Sequence, residues 1–333
     1  MRKWVVTGAN GFLGRALLAR LAADFGRSGH ALCVGAVRHL PAEPSHGVTF
    51  SRVDDLAEES ALAGLVEGAD AIVHLAARVH VMRDRDSDPL SEFRRINLDA
   101  TASLARAAAR AGVRRFVYLS SIKVLGETTE PGQRLSADDA PSPKDPYAIS
   151  KREAEDALRI VASKSRMEVV IIRPPLIYGP GVRANFLAML QWLDKGAPLP
   201  FGAINNRRSL AGIDNVVDLI VTCLEHPLAA DQAFNVTDDE DVSTSHLLRR
   251  LAVALGRRAR LLPVPERLLR QLFFLAGRRD LALRVLSSLE VDVSKAKCML
   301  GWLPRVSLDS GLQQTVAAYI KQKPGGVSLR AAD

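Results

Sequence analysis

The chain has 333 residues, 47% hydrophobic and 25% charged, which suits one large α/β domain of a globular enzyme, alone or with a smaller lobe. No apolar run reaches the length of a membrane span, and Met1-Arg2-Lys3 leads directly into a strand-like segment. Neither membrane insertion nor a secretory signal is therefore expected, and the expected location is cytoplasmic. The formal net charge of +8 is spread along the chain without a nucleic-acid motif and suits anionic nucleotides equally well, so nucleic acid is not an expected partner.

Taken in order, strands are expected at Lys3–Thr7, Ala31–Val37, Val48–Val53, Asp70–Leu75, Arg114–Ser120 and Glu168–Pro174, most of them rich in Val, Ile and Leu. Ala-rich helical stretches at Phe12–Phe25, Pro89–Ala111 and Pro146–Ser163 lie between them, an order that predicts a doubly wound parallel sheet. After Pro174 the alternation fails. Helices are expected near Asn185–Lys195, at Asp214–His226 with Asp214 as N-cap, at Thr244–Leu255 and at Glu266–Ala276. A short strand is expected at Gln232–Val236, and Leu300–Lys321 is mixed. The implied division is a dinucleotide domain over 1–175, with 205–236 returning to it, a lobe from 176–204 and 237–322, and a tail over 323–333. Cys33, Cys223 and Cys298 stand singly, without metal-ligand spacing, and are expected to be reduced core residues; no metal site is expected.

Chemistry first shows at the first strand end, Val5-Val6-Thr7-Gly8-Ala9-Asn10-Gly11-Phe12-Leu13-Gly14. Gly8 permits the tight turn, Gly11 lets backbone approach a pyrophosphate, and Gly14 lets helix and sheet pack closely. The helix start, with Asn10, Phe12 and Leu13, then offers N–H groups and a partial positive charge to phosphates. The bland alternative, a glycine-containing turn without ligand, fits this strand–helix context less well. The second strand ends Ala36-Val37-Arg38-His39, with no acid to hold ribose hydroxyls, so Arg38 tilts the cofactor toward NADP(H), with NAD(H) left open.

Tyr147-Ala-Ile-Ser-Lys151 opens a helix after Asp145-Pro146, and its i,i+4 spacing puts Tyr and Lys on one face. A neighbouring ammonium and an oxidised nicotinamide would both favour the phenolate of a tyrosine whose ordinary pKa is about 10. Such pairs also occur on solvated helices, so the signal needs Val117-Tyr118-Leu119-Ser120-Ser121-Ile122-Lys123 beside it. Together with the G-x-x-G-x-x-G spacing, these motifs resemble the extended short-chain dehydrogenase/reductase superfamily, which includes UDP-galactose 4-epimerase and related sugar-nucleotide enzymes.

The resemblance implies a catalytic set of Ser121, Tyr147 and Lys151, with Ser121 bonding the reacting sugar oxygen and Ser120 making structural turn bonds. It places Asp54 and Asp55 at the adenine, and Leu75, Ala76 and Ala77 beside the diphosphate and nicotinamide ribose. Lys151 also holds that ribose. Asn97 takes a structural or cofactor-orienting role, and Pro174 brings backbone to the nicotinamide. Ser121, Ile122, Lys123, Asn185 and Arg208 fall on the substrate side, Asn185 and Arg208 at the nucleotide diphosphate. His74 is expected to be packed and hydrogen-bonded. Leu125 stands where the family pattern has Tyr.

Runs such as Ser120-Ser-Ile-Lys-Val124 and Asn206-Arg-Arg-Ser-Leu210 are similar to reductases of UDP-4-keto-6-deoxy-N-acetylhexosamines in surface-polysaccharide synthesis. The expected activity is that C4 reduction; a UDP-sugar 4-epimerase is the alternative. A dehydratase would carry an acid–base pair where Ile122-Lys123 stand. A catalytically silent cofactor-binding regulator would have no need of Ser121, Tyr147 and Lys151 together. The family also implies a homodimer packed through Pro89–Ala111 and Pro146–Ser163.

Overall fold

The computed structural model describes residues 2–26, 31–41, 47–79 and 88–323. Met1 and residues 324–333, most of the expected tail, lie outside the described residues. The main sheet contains β1 (Arg2–Thr7), β2 (Ala31–Val37), β3 (Val48–Arg52), β4 (Ala71–His74), β5 (Arg115–Leu119), β6 (Glu168–Arg173) and β9 (Ala233–Asn235). Its strand order is β3-β2-β1-β4-β5-β6-β9, all parallel. This is the α/β Rossmann architecture that the alternating pattern predicts. The order reverses between β1 and β4, which opens a crevice at their C-terminal ends, the usual place for a ligand in such sheets.

The period of two sorts side chains to two faces. Trp4 and Val6 of β1, Val73 of β4, and Val170 and Ile172 of β6 enter the core shared with α1 (Phe12–Leu21). Val5, Ile72 and Ile171 enter the core on the other face, under α2 (Ala63–Val66), α4 (Ala100–Arg110) and α5 (Pro146–Ser163). The expected helix over Pro89–Ala111 is three pieces: α3 (Pro89–Phe93), a π-helical turn at Arg94–Asp99, and α4. Buried Ala100, Ala102, Ala105, Ala107 and Ala108 let α4 settle closely, and buried Leu104 adds about 1.5–3 kcal/mol of apolar burial.

After Tyr178 the chain builds α6 (Ala184–Asp194), α7 (Ile213–Glu225), α8 (Thr244–Ala254), α9 (Glu266–Leu275), α10 (Arg279–Leu286), α11 (Ser294–Leu300) and α12 (Leu308–Lys321). Three short strands, β7 (Leu176–Tyr178), β8 (Arg208–Gly212) and β10 (Asp241–Val242), form a second sheet in the order β10-β8-β7. Residues of α7 and β9 pack in the α1-side core of the main sheet, as do Ala296, Leu300 and Trp302. Phe186, Leu190, Leu247, Leu251, Leu308 and Leu312 form a separate core beneath the second sheet.

Two local expectations are corrected. The N-cap of α7 is Gly212, with Asp214 in the first helical turn, where a carboxylate still suits the helix dipole. Cys33 and Cys223 are buried, but Cys298 is exposed on α11, because Ala296 and Leu300 take that helix's inward positions. No helix among the described residues is long and apolar enough to cross a membrane.

Candidate active site

The glycine loop forms one wall. Gly8 has φ +67°, and a Cβ there would stand 2.7 Å from the backbone nitrogen of Ala76. At Gly11 it would stand 2.9 Å from the Gly8 carbonyl oxygen, and at Gly14 only 2.2 Å from that oxygen. Any side chain at these positions pushes α1 off the end of β1. The N-cap of α1 is Gly11, which supplies no side-chain cap, and no acidic residue occupies its first turn. The N–H groups at that helix start are therefore left for an anion, which fits a dinucleotide diphosphate. Leu75, Ala76 and Ala77 run half-buried past this loop from the end of β4.

Asn10 donates from Nδ2 to the His39 carbonyl at 2.9 Å, joining the glycine loop to the residue after Arg38. Arg38 is exposed, and no ion pair to it occurs among the described residues. Val53 N bonds Val37 O at 2.9 Å, so Asp54 and Asp55 follow β3 next to the Arg38 end of β2. Asp54 pairs with Arg52 at 2.8 Å, an exposed contact of small strength, and Asp55 accepts from Ala57 N at 2.8 Å.

The opposite wall carries the proposed chemistry. Asp145 caps α5, accepting from Ala148 N at 2.6 Å, and Pro146 occupies the first turn, which sets Tyr147 at the helix start. The Ser121 hydroxyl stands beside that of Tyr147, and the Tyr147 ring packs edge-on against Phe93 at 6.0 Å. Burial pushes Tyr147 up to about 12; the neighbouring Ser121 hydroxyl opposes this and the Asp145 charge adds to it. Lys151 is buried, with Nζ donating to Leu119 O at 2.7 Å and lying 4.3 Å over the Tyr118 ring. Burial pushes its ammonium down to about 7, against the pull of Glu155. The expected acidification of Tyr147 by a neighbouring ammonium is thus not what acts in this state, because Lys151 is anchored on the β5 carbonyl.

Glu155, one turn beyond Lys151, was not singled out from the sequence. It accepts from Ser120 Oγ at 2.6 Å and is held by Arg173 through Nε at 2.9 Å and Nη2 at 2.6 Å, all buried. Ser120 is therefore structural through a buried carboxylate rather than through turn bonds. The i,i+4,i+8 spacing of Tyr147, Lys151 and Glu155 was the available signal. Arg173 Nη1 also reaches Ala137 O at 2.8 Å, while Ile122 N bonds Pro174 O at 3.0 Å and Ser120 N bonds Ile172 O at 2.8 Å. The Ser121 loop and the Pro174 end of β6 are thus tied to each other by backbone hydrogen bonds.

Asn97 lies buried in the π-helical turn, a device that often marks functional sites. Its Oδ1 accepts from Arg78 N at 2.8 Å and its Nδ2 donates to Ser150 Oγ at 3.0 Å, tying the loop after β4 to α5. His74 is fully buried between the hydroxyls of Thr7 at 2.6 Å and Thr101 at 2.9 Å. Burial and the Lys151 charge push its pKa down to about 3, so it stays neutral.

Two substrate-side expectations change. Ile122 turns its side chain into a cluster with Leu125, Leu135, Leu289 and Val291, and its backbone N–H and carbonyl are taken by Pro174 O and by the Leu125 and Gly126 amides. The Lys123 ammonium pairs with Glu127 at 2.6 Å and with Asp145, so it braces the Ser121 loop against the α5 cap instead of standing free. Arg208 behaves differently. It donates to Ser287 O at 2.9 Å, and burial with nearby Arg284 lowers it to about 10. Neither arginine pairs with a carboxylate among the described residues, whereas adjacent Arg207 meets Glu290 at 2.9 Å and Asp241 at 3.2 Å. A half-buried guanidinium without a carboxylate keeps a charge that an anionic ligand would offset. Asn185 is half-buried in the first turn of α6, beside Ala184 at φ +53°.

Sheet order, glycine cradle and a Ser–Tyr–Lys constellation define an NAD(P)-dependent enzyme of the extended short-chain dehydrogenase/reductase type. Residues 4–237 match the model of the NAD dependent epimerase/dehydratase family, and the chain belongs to that family. It is 42% identical over 320 residues, 95% of each chain, to a UDP-glucose 4-epimerase from Vibrio cholerae. It is 28% identical to an N-acetyl-α-D-glucosaminyl-diphospho-ditrans,octacis-undecaprenol 4-epimerase from Escherichia coli, covering 76% of this chain and 72% of that one. Among solved structures it is similar to UDP-glucuronic acid 4-epimerase from Bacillus cereus in complex with NAD. There the TM-score is 0.78 at 24% identity, over 98% of this chain and 99% of that one.

Proposed function

We propose that the protein is an NADPH-using reductase acting at C4 of a UDP-linked 4-keto sugar, of the UDP-4-keto-6-deoxy-N-acetylhexosamine type. The observation that carries this reading is the placement of Ser121 beside Tyr147 at the head of α5, one helical turn from the Lys151 ammonium anchored on Leu119 O. Reduction of a ketone needs a proton donor at the carbonyl oxygen, which is the state in which Tyr147 rests. A bound reduced nicotinamide supplies the hydride to the carbonyl carbon. Ser121 donates to the developing alkoxide, Tyr147 delivers the proton that turns it into the alcohol, and solvent then reprotonates Tyr147. Lys151, anchored on Leu119, holds the ribose side of the cleft. Arg208 and Arg284 take the UDP diphosphate with the first turn of α6.

Arg38 supports a consumed, 2′-phosphorylated reductant over a retained NAD. A UDP-glucose or UDP-N-acetylglucosamine 4-epimerase is the second reading, and the 42% identity to the Vibrio cholerae enzyme is what favours it. A homodimer through α4 and α5 belongs to the same proposal. The test is to follow nicotinamide absorbance with UDP-4-keto-6-deoxy-N-acetylglucosamine and NADPH or NADH. Stoichiometric cofactor oxidation supports the reductase. A tightly retained cofactor, with UDP-glucose and UDP-galactose interconverting and none added, overturns it.

A further inference from the structure

The α9–α10 hairpin presents more apolar surface than the protein covers. On α9, Leu269 is buried and Phe273 packs beside it against Ile204, Ala282 and Leu286. The next rows of the same helix point out. Leu268, Leu272 and Leu275, at i, i+4 and i+7, form an outer stripe, with Phe274 beside it and Leu283 exposed on α10. Their exposures run from 42% for Leu283 to 81% for Leu275, far above what a covered helix face shows.

The charge around this stripe is just as uneven. Residues 257–284 hold eight arginines against two carboxylates, Glu266 and Asp280, so the even spread of charge expected from the sequence fails here. Arg267, Arg270, Arg278 and Arg279 are exposed, and the Arg279 guanidinium lies 4.3 Å over the Phe274 ring. A cation that flanks an aromatic at an apolar edge is the arrangement of a side chain reaching toward an interface.

We propose that this hairpin docks the enzyme peripherally on an anionic phospholipid surface, with the outer leucine stripe and Phe274 in the headgroup boundary and the arginines on lipid phosphates. A second copy presenting the same face would set arginine cluster against arginine cluster, which like-charge repulsion opposes. A nucleic acid would satisfy the arginines but leave the leucine stripe wet. Apolar stripe and cationic rim together are what a bilayer boundary satisfies. The docked helix α10 is also the one that carries Arg284.

Flotation of the full chain with vesicles tests this, comparing phosphatidylethanolamine/phosphatidylglycerol with phosphatidylcholine. The protein should float with the anionic vesicles at low salt and leave them as salt rises. Leu272→Glu with Leu275→Glu should lower the partition at least tenfold, and Arg267→Gln and Arg278→Gln about fivefold each. Because these side chains are exposed, the urea midpoint and turnover of soluble substrate should stay unchanged, which separates this proposal from the catalytic one. No flotation overturns it, as does flotation indifferent to the two glutamates. A wild-type dimer that the glutamates turn into a monomer overturns it in favour of a subunit interface.

Discussion

The surroundings of Tyr147 and of Arg208 handle charge in different ways. At the redox end carboxylates close two of the cations: Glu155 holds Arg173, and Lys123 is braced by Glu127 and Asp145, while Lys151 rests on a carbonyl. Beside β8, Arg208 feels the charge of Arg284, and neither pairs with a carboxylate among the described residues. A site that must hold geometry compensates its charges internally, because an orphaned buried charge would move or draw in water. A site that must bind an anion leaves the compensation to the ligand.

The contrast breaks most sharply at Tyr147. Tyr147→Phe should lower kcat by roughly 10²- to 10⁴-fold, with cofactor affinity by titration nearly unchanged; surviving activity would disprove the role. Glu155→Gln leaves Arg173 buried with half a partner, and the urea midpoint should report a loss of about 3 kcal/mol. If the redox end merely tolerated its charges, that loss would be absent. In β8, Arg208→Ala should raise KM for the UDP-sugar roughly 30-fold, about 2 kcal/mol, while the urea midpoint holds steady or rises. A fall in stability equal to that of Glu155→Gln would erase the distinction. Arg38→Asp should shift the ratio of kcat/KM for NADPH over NADH by about tenfold toward NADH.

The contrast also shows in the pH dependence of stability. The Lys151 ammonium, near pKa 7 folded against about 10.4 unfolded, binds fewer protons in the folded state between those values. Its burial therefore costs stability below that window, and the cost fades as pH rises through it. Wild type should gain on Lys151→Met between pH 7 and pH 10 in urea melts; a constant difference would show that Lys151 is not desolvated.

The first half of the chain was legible because its signals are local. A positive φ at Gly8, the absence of room for a Cβ at Gly14, and the alternation of Trp4, Val5 and Val6 across the sheet are properties of a few consecutive residues. The Tyr147-to-Lys151 spacing is likewise one helix face. Beyond Pro174 the same approach missed β7, β8, α10 and α11. Those elements are short, and they are held by partners far along the chain, as when Ser209 N bonds Leu289 O at 2.9 Å.

Sequence alone determined that a strand–glycine–helix turn and a Ser…Tyr-x-x-x-Lys set stand in one chain, since backbone sterics and helix periodicity act within a few residues. Only the tertiary structure decided which charges around them are spent. Lys123 and Arg208 are equally cationic as letters, yet one is closed by two carboxylates and the other, half-buried, meets none among the described residues. That difference depends on burial and on neighbours brought from distant segments.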